Sequence, residues 1–177
     1  GDKKLLPNKF VGQKPNIMIV YWESLSARLV GAYNPAYPNL TPGLDKMSAD
    51  PHTTVFKNYY NGSTPTVTGL ISSLCSILPP MGHNEIQNKN RLQRHGLLCL
   101  PEVLQDNGYK NSSYVTAVEK NFAHKDTIFG SMGVKNIYGT KELYKYIPGE
   151  PLSWGWSDHQ LFPAIWNFMN KEPQEPF

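Results

Sequence analysis

Apolar positions along this chain follow two patterns. The first is the unbroken or alternating run. Residues 16–22 (NIMIVYW) are apolar almost throughout and stop at Glu23, which predicts a strand buried on both faces with its last residue emerging at the carboxyl edge. Residues 53–60 (TTVFKNYY) alternate and are β-branched or aromatic, predicting a second strand; 113–118 (SYVTAV) and 135–138 (KNIY) predict two more.

The second pattern is the helical stripe. Leu70, Ile71, Leu74, Ile77 and Leu78 recur at helical spacing within 66–78, ahead of Pro79 and Pro80, and predict an amphipathic helix. Thr41-Pro42 predicts an N-cap and first helical residue, with Leu44 and Met47 on the buried side. Short helices are predicted over 101–107 and 124–132, closed by Gly108 and Gly133. A last helix, capped by Ser157-Asp158, carries Leu161, Phe162, Ile165, Trp166 and Met169 as its apolar side, with Pro163 in its first turns. Residues 81–96 are polar and predict a surface excursion. Strands alternating with helices predict an α/β fold with a mainly parallel sheet.

Composition narrows the function classes. The 177 residues are 40% apolar and 12% aromatic, enough for one core and against disorder. No apolar run reaches the roughly 18 residues of a membrane span. The net charge of +3 is small and dispersed, so nucleic acid is not an expected partner. Cys75 and Cys99 are the only cysteines; their spacing makes a poor zinc framework and leaves a disulfide and two buried thiols both open. Residues 1–15 are polar and Lys-bearing and read as a linker or juxtamembrane segment, and 16–177 as the catalytic part. The chain stops directly after a helical pattern, which predicts a fragment of a longer protein. Helices lacking their sheet partners would then favour self-association.

Two residues are placed for chemistry. In open α/β sheets ligands gather at the carboxyl ends of strands. Glu23 stands at such an end, and Thr66 opens the best amphipathic helix, where free N–H groups and the helix dipole favour an anion. A divalent metal shared by the two would activate the hydroxyl as a nucleophile. Their ordinary roles are a solvated loop carboxylate and a helix cap.

The order of motifs adds a resemblance. NIMIVYWESLS at 16–26, GAY at 31–33, LTPGLD at 40–45, FKNYYNG at 56–62, TVTGLISSLCSILPP at 66–80 and WGWSD at 154–158 resemble the amino-terminal half of the sulfatase-like branch of the alkaline phosphatase superfamily. Within it, the chain is most similar to lipoteichoic acid synthases and to phosphoglycerol and phosphoethanolamine transferases. The resemblance implies an alkaline-phosphatase-like α/β sandwich, incomplete here, whose remaining metal ligands come from a missing carboxy-terminal half. It implies Glu23 as a metal ligand and Thr66 as nucleophile and metal ligand. In the family the nucleophile stands 13 residues before a helix-ending proline, as Thr66 does before Pro79, which selects it over Thr64 and Thr68.

It further implies that His124 and Lys125, in FAHKD at 122–126, meet the substrate's anionic head group. Asp158-His159 is read instead as a helix cap and a surface residue. The implied activity is metal-dependent transfer or hydrolysis of phosphate esters, from a phospholipid or anionic glycan, through a phosphothreonine. The metal could be Mn, Zn, Mg or Ca, and the site extracytoplasmic on a membrane-anchored parent. No C/S-x-P-x-R motif surrounds Thr66, so the alternatives are a sulfatase-like sulfuric ester hydrolase without formylglycine and a non-catalytic module binding anionic glycans or a partner protein.

Overall fold

The structure, a computed structural model, describes residues 14–78, 97–171 and 176–177. The chain divides into two compact units, Gly1–Met18 with Gly62–Phe177, and Ile19–Asn61.

The larger unit is built from helices around a short parallel sheet. In chain order these are α2 (Thr66–Cys75), α3 (Leu100–Asp106), β1 (Ser113–Val115), α4 (Lys125–Ser131), β2 (Asn136–Tyr138), α5 (Thr140–Leu143) and α6 (Asp158–Lys171). Strands β1 and β2 pair in parallel, Tyr114 opposite Ile137. The connection through α4 is the β-α-β crossover that a parallel pair requires. Helices α3 and α4 are closed at Gly108 and Gly133, both with positive φ.

The apolar face of α2 explains its formation. Leu70, Ile71, Leu74 and Cys75 are buried with Ile128, Phe129 and Met132 of the α4 region, and Tyr114 and Ile137 of the sheet pack against the same cluster. Tyr114 stacks on Phe129, ring centroids 3.7 Å apart. Each fully buried side chain of this kind contributes about 1.5–3 kcal/mol. Cys75, the last residue of α2, and Cys99, just before α3, form a disulfide, which settles the alternative left open by their spacing.

A second cluster joins Leu143, Tyr146, Ile147 and Trp156 to Ala164 and Phe168 of α6. Here the WGW segment does its structural work. The carbonyl of Ala117 accepts from the Trp156 N–H at 3.0 Å and from the Thr140 hydroxyl at 2.9 Å. The Trp156 indole in turn donates to the Thr140 carbonyl at 3.0 Å. A side chain at Gly155 would run into the Ala117 carbonyl, and its φ of +133° is one that L residues avoid.

The smaller unit holds a 3-10 turn (Ala27–Leu29) and α1 (Pro42–Ser48) among turns. Val30 is its only buried residue. The Asn34 side-chain amide ties to the Arg28 carbonyl at 2.9 Å, and the Tyr33 hydroxyl to the Phe56 carbonyl at 3.3 Å.

Several expectations are corrected. Residues 16–22 and 53–60 form no strand. Met18 to Trp22 are about half exposed, 47–51%, and a run is a strand only where a neighbour accepts its ladder. Thr53 and Val55 keep the alternation, being half-buried, but Phe56, Tyr59 and Tyr60 are exposed. Helix α2 ends at Cys75 because Ser76 turns left-handed, φ 53°, so Leu78 is exposed. Met47 of α1 is exposed as well.

Helix α6 begins at Asp158, so the capping position falls to Ser157, whose N–H and hydroxyl both bond Gln160 Oε1. Its buried stripe is Leu161, Ala164, Ile165 and Phe168; Phe162 and Trp166 lie about 100° per residue off it and are exposed. The expectations for Pro79, Pro80 and the 81–96 excursion, and most of the 1–15 linker, lie outside the described residues.

Candidate active site

Thr66 is the first helical residue of α2 and is exposed, at the head of a helix that buries Leu70, Ile71, Leu74 and Cys75. Proline at the preceding position has no side chain that could cap the helix, so the turn is organised otherwise. Thr68, 8% exposed, donates its hydroxyl to the Pro65 carbonyl at 2.8 Å. Its oxygen lies 2.6 Å from Ser63 Oγ. The same Pro65 carbonyl accepts the Gly69 N–H at 2.9 Å. The loop entering α2 is thus tied from both sides of Thr66. In sequence Thr68 stands only as a rival nucleophile; its burial and its bond to the Pro65 carbonyl set it apart in the structure.

Lys125 and His124 open α4, which shares its core with α2. The two differ sharply. His124 is exposed and left-handed, φ 56°, directly after Ala123, also left-handed at φ 55°. Two successive non-glycine residues in that region cost about 1–2 kcal/mol each, and such strain persists only where the surroundings impose it. Lys125 is 9% exposed, so it is not a solvated helix start. Its ammonium stands 5.4 Å from the Phe122 ring centroid, within cation–π range. Phe122 in turn meets the exposed Trp154 edge-on at 5.4 Å. A buried cation against the exposed Phe122 ring is a feature that the motif pattern alone did not disclose.

Glu23 lies in the smaller unit, exposed in a turn, and accepts from the Ser24 hydroxyl at 3.3 Å. Ser24 is left-handed, φ 57°, so the chain turns sharply at the residue after the carboxylate. Thr66, His124 and Lys125 belong to the larger unit. Among the described residues no group of three or more His, Cys, Asp and Glu side chains could hold a metal. The oxygen donors in question are the Glu23 carboxylate and the Thr66 hydroxyl. Carboxylate and hydroxyl oxygens are donors of the kind a hard divalent cation takes. His159 is exposed on α6, as expected for a surface residue.

The chain is 29% identical over 167 residues to phosphoglycerol transferase I of Salmonella choleraesuis, covering 92% of this chain. It is 28% identical over 167 residues to the enzyme of the same name from Salmonella paratyphi B. The chain spans about a fifth (21%) of the length of these relatives. Among solved structures, a protein of the alkaline phosphatase superfamily from Vibrio parahaemolyticus matches with a TM-score of 0.66 and 26% identity, over 84% of this chain and 33% of that one. The fold is that of the alkaline phosphatase superfamily, represented by a small parallel sheet flanked by helices. The sulfatase family model matches residues 15–177, and the chain belongs to the sulfatase family.

Proposed function

We propose that this chain forms part of a phosphate-ester transferase or hydrolase in which Thr66 is the nucleophile. The observation that carries the reading is an exposed hydroxyl on the first residue of α2, at the end of a helix whose body is anchored in the core. The similarity to phosphoglycerol transferases points the substrate toward phosphoglycerol-type esters, from a phospholipid or a glycan.

The chemistry assigned to the residues is a double displacement. Thr66 Oγ1 gives up its proton and bonds phosphorus as the P–O bond to the leaving alcohol breaks; that alcohol takes up a proton. An acceptor hydroxyl, or water, then attacks phosphorus, and the Thr66 hydroxyl is restored. Helix N-terminal N–H groups and their dipole favour the charge on the phosphoryl oxygens. Lys125 supplies a fixed cation for the anionic head group, with His124 beside it. Glu23 and Thr66 are the residues that would hold a divalent metal, Mn, Zn, Mg or Ca. When bound, such an ion supplies the positive charge that eases ionisation of the hydroxyl. The disulfide supports an oxidising, extracytoplasmic setting.

The test is Thr66→Ala in the full-length protein, assayed by release of nitrophenol from bis(p-nitrophenyl) phosphate. Loss of turnover by about 10³-fold or more is expected, with the circular dichroism spectrum unchanged. Brief incubation of the wild type with the ester should leave one p-nitrophenyl phosphoryl group on the peptide containing Thr66, one nitrophenol having been released. Undiminished turnover by the alanine variant would remove Thr66 from the reaction.

A further inference from the structure

We infer that Thr68 is a positioning residue for this reaction, acting through the peptide that carries Thr66; the inference rests on the reading of Thr66 as nucleophile. The hydrogen-bond directions follow from proton counting. A threonine hydroxyl has one proton and two acceptor lone pairs. Thr68 Oγ1 gives its proton to the Pro65 carbonyl at 2.8 Å. The 2.6 Å contact with Ser63 must therefore be donated by Ser63. A directed relay results: Ser63 hydroxyl to Thr68 hydroxyl to Pro65 carbonyl.

The last acceptor is the one that matters. The Pro65 carbonyl and the Thr66 N–H belong to one planar peptide unit, and that carbonyl also receives the Gly69 N–H at 2.9 Å. Two donors on one carbonyl hold the plane against rotation about its flanking bonds. The Thr66 Cα sits at the edge of that plane, so the direction in which its side chain leaves the helix is set by the clamp. Thr68 is buried while Thr66 is exposed; the former does not meet substrate, and its effect passes through the backbone.

A second device guards the same loop. A side chain at Gly62 would collide with the Ser72 hydroxyl on the second turn of α2. The chain passes close to the helix here, and Ser63, the next residue, meets Thr68. Pro65, with its φ held near −66°, removes one further freedom between the two anchors. The Ser63–Thr68–Pro65 relay and the fixed φ of Pro65 both restrict the entry to this turn. Orientation of a reacting group is where such rigidity is spent, since a misplacement of about 1 Å can cost 10²-fold in rate.

The experiment uses the full-length protein with bis(p-nitrophenyl) phosphate. Thr68→Val keeps the shape and removes the hydroxyl; kcat should fall about 10–100-fold, with KM within about twofold. Thr68→Ser restores the hydroxyl and should recover kcat to within about threefold of wild type. Ser63→Ala, which removes the outer donor, should lie between them. It reads the relay even if Thr68→Val fails to accumulate as folded protein. A merely structural role would lower the melting temperature of the valine variant and leave kcat of the surviving fold unchanged, and that result overturns the proposal. So does a serine variant as slow as valine, or Ser63→Ala at full speed when the valine variant does not fold. If Thr66→Ala itself turns over normally, the nucleophile reading has failed. If Thr66→Ala is inactive and Thr68→Val is fast, the clamp alone has failed.

Discussion

Removing the Cys75–Cys99 disulfide offers the sharpest test of how the larger unit is held together. The bond joins the last residue of α2 to the residue before α3, 24 positions on. Both sulfurs belong to residues that are almost wholly buried, 6% and 2% exposed, so the cross-link is part of the core and no surface ornament. In the chain-entropy account, opening a loop of that length frees about 3.5 kcal/mol of denatured-state entropy at 25 °C. Against a total stability of about 5–15 kcal/mol that is a large share. Converted through the unfolding entropy of a domain this size, it amounts to a fall in Tm of about 7–14 °C.

Urea unfolding is the suitable assay, followed by the fluorescence of the buried Trp156 and by far-ultraviolet circular dichroism. Three samples are compared: oxidised wild type, wild type with reductant, and Cys75→Ala/Cys99→Ala. The two lacking the bond should lose stability together, and reductant should leave the double variant unaffected. The double variant should also show a steeper dependence on urea, because its denatured chain exposes more surface. A loss below about 1 kcal/mol, or a reductant effect that persists in the double variant, would refute the reasoning.

Glu142 gives a pH-dependent prediction. Burial alone pushes its carboxyl upward, but bonds from the Lys120 ammonium at 2.7 Å and the Gly139 N–H at 3.0 Å outweigh burial and hold it below the ordinary carboxylate value of 4.5. A depressed folded-state pKa contributes stability above the unfolded-state value, and that contribution is lost as pH falls through the folded one. Wild type should therefore lose stability below about pH 4.5, and Glu142→Gln should lose less over the same window in acid titrations followed by circular dichroism. Identical acid midpoints would exclude Glu142 from the transition. Glu23→Gln, which keeps the shape and removes the charge, should lower the divalent metal retained by the full-length protein after dialysis. Unchanged metal content by elemental analysis would rule the carboxylate out as a ligand.

The elements legible in the sequence are those whose partners are close along the chain. The α2 stripe, the glycine stops at Gly108 and Gly133 and the β1–α4–β2 crossover were all readable, because a helix satisfies its own backbone and a short crossover keeps its two strands within one stretch of chain. The runs at 16–22 and 53–60 failed as strands for the opposite reason. Their apolar character specifies a buried place, but a strand is completed by hydrogen bonds from another segment, and no periodicity within the run can supply those. The same division applies to the site. The position of Thr66 at the start of α2 was legible because the start of an amphipathic helix is a local feature. The burial of Lys125 was hidden, since it depends on where Phe122 and the α4 core lie in space. The Thr68 relay was hidden for a subtler reason: a threonine at the third position of a helix has an ordinary place in sequence, and its distinction lies in one proton directed at the Pro65 carbonyl. A candidate nucleophile can thus be proposed from pattern, whereas a candidate positioning residue is found by following each buried hydroxyl to its acceptor.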